Sequence, residues 1–180
     1  MGAVTRLTSE ELTTSDAEVL RALFEAAWED KSGTFGDEDW NHALGGMHFL
    51  LRDGGDILSH ASVVERRLRT GAHDLVTGYV EAVASRPQHQ RRGHGTIVMR
   101  AVGDHIRAKY DLGALSTGSV RFYERLGWRP WTGPTFVRVE DRRVRTEEDD
   151  GSVLVLLTPT SPKLDLSAGV SCEWRPGDVW

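Results

Sequence analysis

The stretch that most constrains this chain runs from Leu75 to Thr96. Leu75 to Ser85 is rich in small and β-branched residues and reads as a strand, ended by Pro87. Gln90-Arg91-Arg92-Gly93-His94-Gly95-Thr96 follows. Gly95 to Tyr110 then carries Ile97, Val98, Ala101, Val102 and Ile106 at helical spacing. A strand that passes through a Gly-x-Gly turn into a helix presents unpaired backbone N–H groups and the positive end of the helix dipole. Gly93 and Gly95 have no side chains to hold an anion away, and Arg91 and Arg92 add positive charge. A pyrophosphate suits such a turn. Neither the Gly-Lys-Ser/Thr of a P-loop nor the three glycines of a dinucleotide turn is present.

The elements around this crossover mix hairpins and helices. Ser15 to Trp28 reads as a helix, with Ser15 as N-cap, Glu18 completing a capping box, and Val19, Leu20, Leu23, Phe24 and Ala27 as its apolar stripe. A loop around Gly33 leads to a short helix near Asp37 to Leu44, stopped by Gly45-Gly46. Met47 to Leu51 and Ile57 to Arg69 read as strands joined at Asp53-Gly54-Gly55-Asp56. In the longer one, Ile57, Ser59, Ala61 and Val63 alternate with Leu58, His60, Ser62 and Val64, and Arg66-Arg67-Arg69 reads as a solvated or interface cluster at a hairpin tip. Ala114 to Ser116 is a short strand, Ser119 to Leu126 a helix closed by Gly127, and Trp128 to Val139 and Ser152 to Leu157 late strands. Thr158 onward is a tail with little periodicity. One strand–helix–strand crossover among antiparallel hairpins gives an α+β fold, neither a doubly wound sheet nor a sandwich.

Composition limits the function classes. With 180 residues the chain makes one domain, and 27 acidic against 22 basic residues, a net charge of −5, argue against a nucleic-acid surface. No apolar run reaches membrane-spanning length and no secretory leader is evident, so a cytoplasmic protein without membrane partners is expected. The single cysteine, Cys172, excludes an intrachain disulfide and reads as a small buried hydrophobe. The seven histidines form no His-Glu-x-x-His and no metal site is expected; no Gly-x-Ser-x-Gly elbow exists either. The charge is divided along the chain. Five cations and one acid lie between Gln88 and Lys109, whereas seven acids face Lys163 and Arg175 between Glu147 and Trp180. The chain thus offers one segment to an anion and another to a cation.

Gln90-x-x-Gly93-x-Gly95 after Val83-Ala84-Ser85, together with the element order, resembles the acetyl-coenzyme A loop of the GNAT N-acetyltransferase superfamily. That resemblance implies a central, mostly antiparallel splayed sheet flanked by helices. It implies acetyl-CoA as cosubstrate, with Val83, Ala84 and Ser85 bonding to pantetheine and Gln90, Arg91, Arg92, Gly93, His94, Gly95 and Thr96 holding the pyrophosphate. Leu44-Gly45-Gly46-Met47-His48, Gly78-Tyr79-Val80-Glu81, Leu112-Gly113-Ala114-Leu115-Ser116 and the ending Trp174-Arg175-Pro176-Gly177-Asp178-Val179-Trp180 resemble one branch, the aminoglycoside 2′-N-acetyltransferases.

The branch implies transfer of acetyl to the 2′-amine of an aminoglycoside antibiotic by direct attack in a ternary complex, conferring resistance. Acetylating an ammonium requires a base, and the resemblance assigns that role to Glu81 acting through water. It makes Tyr123 the general acid, or the oxygen that orients the cofactor sulfur; the residues alone equally allow a packed aromatic. Asp39, Ala82, Ser116, Asp149, Asp178 and Trp180, the last through its terminal carboxylate, would contact the polycation. Relatives carry Gly-Asp-Phe before the second helix, where this chain has Gly33-Thr34-Phe35, so Thr34 offers a hydroxyl in place of a charge. Trp174 and Trp180 argue that the tail, residues 158–180, packs down, and the resemblance implies a homodimer. Two rival readings stay open at this stage: acetylation of a cellular amine such as a sugar or polyamine, and a non-catalytic module that binds coenzyme A.

Overall fold

Residues 3–28 and 35–180 are described in the computed structural model of the chain. Their contacts sort into two compact units, Met1–Val64 with Val80–Val102, and Glu65–Tyr79 with Gly103–Trp180. The first contains β1 (Val4–Thr8), α1 (Thr14–Trp28), α2 (Asp37–Ala43), β2 (Met47–Asp53), the start of β3 (Asp56–Thr70), the end of β4 (His73–Ser85) and the start of α3 (His94–Lys109). The second contains the remainder of those three elements, then β5 (Leu112–Ser116), α4 (Val120–Glu124), β6 (Arg129–Pro130), β7 (Thr135–Val139), β8 (Arg142–Arg145), β9 (Val153–Leu157) and β10 (Val170–Glu173).

In the first unit, β2 pairs antiparallel with β1 and with β3, from Met47 opposite Thr8 and Val63 outward. The hairpin turn falls at Gly54-Gly55 as the sequence predicts. Gly46 is required by close approach, since a Cβ there would collide with the Val63 carbonyl oxygen. The predicted stripe of α1 buries Leu20, Leu23 and Phe24 against Trp40, Leu50, Ile57 and Ala84, with Val19 and Ala27 at the rim. Its cap differs from the predicted one. Thr13 Oγ1 accepts from the Asp16 N–H at 3.1 Å and Asp16 Oδ2 accepts from the Thr13 N–H at 3.2 Å, so the box starts two residues before Ser15.

In the second unit the strands follow the order β6-β9-β5-β4-β3-β10-β7-β8. β4–β5 and β7–β10 are parallel pairs, and β3–β10, β5–β9, β6–β9 and β7–β8 are antiparallel. The β4–β5 pairing covers Thr77 to Tyr79 opposite Leu112 to Ala114 and stops there, the local form of a splayed strand pair. The segment read as one strand from Trp128 to Val139 is broken, because Pro130 and Gly133-Pro134 interrupt the ladder, leaving β6 and β7. Two strands escape the sequence reading. β8 forms a hairpin with β7, and β10 lies inside the expected tail, between β3 and β7.

The arginine cluster is also corrected. In the outer half of β3, Glu65, Arg67 and Arg69 are exposed while Arg66, Leu68 and Thr70 are buried, the period of two of a one-sided strand. Arg66 is only 4 % exposed. Its guanidinium donates to Glu173 Oε1 and to the backbone oxygens of Glu173 and Val179, all at 2.8–2.9 Å. A buried guanidinium costs several kcal/mol unless its donors are met, and here the chain end meets them. Arg67 and Arg69, by contrast, pair with Asp74 at the surface.

Candidate active site

The first unit gathers the residues expected around a thioester cofactor. Along β4, Ala82 sits at φ 48°, a left-handed conformation that a non-glycine residue rarely adopts inside a strand and that kinks it as a bulge does. A kink leaves backbone carbonyls off the ladder, and buried carbonyls must find other donors. Side chains of β3 supply them. Ser59 Oγ donates to the Ala84 oxygen at 2.9 Å, His60 Nδ1 to the Ala82 oxygen at 2.8 Å, and Ser62 Oγ lies 3.4 Å from the Glu81 oxygen. Ser59 also meets the Ser85 hydroxyl at 2.8 Å. Glu81, Ala82 and Val83 are half-buried on this kinked run, so the predicted base and the predicted pantetheine-binding backbone share one strand end.

After β4, a 3-10 turn at Pro87–His89 leads into the predicted phosphate loop. Gln90 donates its N–H to the Pro87 oxygen at 3.3 Å. Arg91 at φ 60° and Gly93 at φ 84° turn the chain into α3, whose first internal bond runs from the Ile97 N–H to the Gly93 oxygen. The N–H groups of His94, Gly95 and Thr96 precede that bond and have no intrahelical acceptor. Gly93 is required by its conformation and not by space, since a Cβ there would meet nothing within 4 Å. Arg91 and Arg92 are exposed beside these donors. The loop therefore fits a pyrophosphate. Asp39 has a local duty, accepting the Gly36 N–H at 2.8 Å as the cap of α2. Thr34 lies outside the described residues.

The second unit gathers the acids. Burial first, then Glu148, with Asp178 and Asp150 adding, raises the Asp149 carboxyl above its usual value against a bond from Thr146. Like charges are crowded here while neighbouring Asp150 is neutralised by Arg145. Trp180 is 5 % exposed and donates its indole N–H to Thr146 Oγ1 at 3.1 Å, so the last residue is anchored beside the loop that carries Asp149. Trp174, expected to pack, is 56 % exposed. Ser116 is exposed and meets the Ser152 hydroxyl at 3.0 Å. Tyr123 is buried against Trp128, and burial, opposed by a bond to Thr117, pushes its hydroxyl up to about 12. It keeps its proton at neutral pH. Cys172 is buried, and burial lifts its thiol to about 11, which leaves it inert. Among the described residues no cluster of three His, Cys, Asp or Glu is placed to hold a metal ion.

Residues 8–131 match the family model of the acetyltransferase (GNAT) domain. The chain is 45 % identical over 152 residues to an aminoglycoside 2′-N-acetyltransferase of Mycolicibacterium fortuitum, covering 82 % of this chain and 78 % of the relative. The chain belongs to the GNAT acetyltransferase family. The GNAT fold is shared with solved structures at lower identity. A GNAT acetyltransferase of Brucella melitensis in complex with acetyl-CoA is 17 % identical with a TM-score of 0.60, over 92 % of this chain and 95 % of that one. A GCN5-related N-acetyltransferase of Kribbella flavida is 18 % identical with a TM-score of 0.58, over 73 % of this chain. The present acetyltransferase spans about a third of the length of that protein, 34 %.

Three buried polar side chains, His48 and His60 in the first unit and Arg66 in the second, have partners that no sequence motif gives. His60 and His48 invite only a metal reading, and Arg66 looks like surface charge. His60 and Arg66 each carry a signal. Ser59, His60 and Ser62 are polar residues in a strand whose two faces are both covered, so they need buried partners. Arg66 shares its strand face with Leu68 and Thr70. No helix among the described residues is long and apolar enough to cross a membrane.

Proposed function

We propose that this acetyltransferase moves acetyl from acetyl-CoA to the 2′-amine of an aminoglycoside by direct attack. The observation that carries the reading is the half-buried Asp149 in an otherwise exposed acidic loop, with Trp180 bonded to Thr146 beside it. Holding carboxylates together at a cost in stability suits a site whose ligand is a polycation. The relative from Mycolicibacterium fortuitum, named for this activity, supports the same substrate class.

Bound acetyl-CoA supplies a thioester carbonyl. Glu81 takes a proton from the substrate ammonium through water, freeing the nitrogen lone pair to form the amide bond as the carbon–sulfur bond breaks. The Val83–Ser85 backbone orients the pantetheine, and the α3 start with Arg91 and Arg92 holds the pyrophosphate. Tyr123, protonated at neutral pH, returns a proton to the departing thiolate. Asp149, Asp178 and Trp180 receive the substrate amines, with Ser116, Ala82, Asp39 and Thr34 as further contacts. A cytoplasmic homodimer completes the reading.

Thiol release tests it. Tobramycin, which has a 2′-amine, is expected to release free coenzyme A, and kanamycin A, with a 2′-hydroxyl, is not. Equal turnover of the two would overturn the 2′-position and favour acetylation of a different amine. Glu81→Gln is expected to keep acetyl-CoA binding and lose about 100-fold or more in kcat, the scale of a general base.

A further inference from the structure

Two fully buried histidines of the first unit stand end to end beneath the kink in β4. His48 Nδ1 lies 2.9 Å from His60 Nε2, His60 Nδ1 lies 2.8 Å from the Ala82 oxygen, and His48 Nε2 lies 2.8 Å from Ser9 Oγ. The Gly45 N–H reaches Ser9 Oγ at 2.9 Å. This chain has a single consistent assignment of protons. The Ala82 carbonyl can only accept, so His60 carries its proton on Nδ1 and accepts on Nε2. His48 must then donate from Nδ1 and accept on Nε2, so Ser9 gives its hydroxyl proton to His48. The Gly46 oxygen near Ser9 is served instead by the Ser9 N–H at 3.1 Å.

Every member of the chain is satisfied and every dipole points towards Ala82, an arrangement in which successive bonds reinforce one another. Burial holds both rings neutral, lowering His48 to about 4 and His60, with the neighbouring His48 contributing, to about 3. The Phe24 ring meets the His60 ring edge-on at 5.1 Å and fixes its plane. The chain ends on a backbone carbonyl, which cannot pass a proton on, so it is a brace and not a proton conduit.

We propose that His60, oriented by His48 and Ser9, is a positioning residue for acetyl transfer: its Nδ1–H pins the Ala82 carbonyl, and so the left-handed turn that aims Glu81 and sets the Val83–Ser85 backbone. The inference rests on Glu81 being the base. Left-handed backbone at an alanine is disfavoured and persists only where neighbouring bonds over-determine it. Releasing the carbonyl lets β4 straighten and moves the carboxylate next to it.

Paired substitutions separate positioning from packing. Asparagine can place an N–H where His60 Nδ1 stands but leaves the His48 donor unmet; glutamine reaches the Nε2 position and serves His48 but not Ala82. His60→Asn is expected to keep kcat within about threefold, whereas His60→Gln loses about 10- to 100-fold with the KM for the amine unchanged, the scale of a small misplacement of a reacting group. Thermal stability should run the other way, with His60→Gln the more stable. Equal kcat in the two variants, or kcat that follows thermal stability, would overturn the positioning role. If His60→Gln does not fold, Ser9→Ala at the partly exposed end of the chain takes its place, with about a twofold to fivefold loss in kcat expected and an unchanged kcat counting against the proposal. Glu81→Gln is measured alongside. Full activity there removes the base and this inference together, whereas its loss combined with equal His60 variants removes the positioning role alone.

Discussion

Along β4 of the first unit, carbonyls at Glu81, Ala82 and Ala84 face neutral side chains, whereas in the second unit the chain end is held by the Arg66 guanidinium. Both devices answer the same demand, that buried backbone groups without a ladder partner need another one. A neutral bond to a carbonyl contributes about 1 kcal/mol and a charged one about 2 kcal/mol. The neutral device meets these carbonyls with hydroxyls and an uncharged imidazole. The charged device stands in a unit that also accumulates carboxylates, where a cation is tolerated. The contrast is between carbonyls met by neutral donors and carbonyls met by a buried charge.

The largest test of this contrast is Arg66→Met, which removes the guanidinium from the Glu173 and Val179 oxygens and leaves the Glu173 carboxylate to the Arg67 N–H and Arg138. A loss of about 3 kcal/mol is expected by chemical denaturation, with a raised KM for the amine as Asp178 and Trp180 loosen. A loss below about 1 kcal/mol would mean that the tail does not depend on this pin.

Next in size is the acid limb of stability. His48 and His60 are neutral in the fold, with values lowered to about 4 and about 3, and the unfolded chain takes up protons near 6.5. The unfolded state therefore binds more protons between about pH 6.5 and pH 3–4. The stability from these groups is complete above pH 6.5 and is lost as pH falls through that window, by at most about 1.4 kcal/mol per group for each pH unit. His48→Asn should flatten the slope. An unchanged slope would place the acid sensitivity elsewhere.

Relief of crowding should act in the opposite direction in the second unit. Asp149→Asn is expected to raise the melting temperature of the free protein while increasing the amine KM about tenfold, the scale of one half-buried charge pair. A variant that is both less stable and unaltered in KM would break the reading of the acidic loop as a cation site. The smallest effects come from the two tail tryptophans. Trp180→Phe should cost about 1 kcal/mol through its lost bond to Thr146, and Trp174→Ala less than about 0.5 kcal/mol because its ring is exposed.

Local elements were legible in the sequence to within a few residues. The stripe of α1, the Gly54-Gly55 hairpin, β4 and the Gly93 entry to α3 all follow from short-range rules of periodicity, turn chemistry and backbone freedom. The broken strand after Trp128 shows where those rules were available but unused, since Pro130 and Pro134 already forbid a continuous ladder. β10 lay beyond them. Val170 to Glu173 has little periodicity to read, and it becomes a strand by lying between β3 and β7, both distant in sequence.

A family resemblance pointed to Glu81, Tyr123 and Asp149; by itself the sequence determined the Gly-x-Gly helix entry and the separation of a cationic segment from an acidic one. These depend on residues close together in the chain, where spacing alone sets geometry. Only the tertiary structure decided that Arg66 is a buried clamp on residues 107 and 113 positions away, and that His48 and His60 join into one hydrogen-bonded brace under Ala82. The physical reason is burial: whether a polar side chain is solvated or must find a partner depends on which distant segments cover it, and no local pattern of residues specifies that cover.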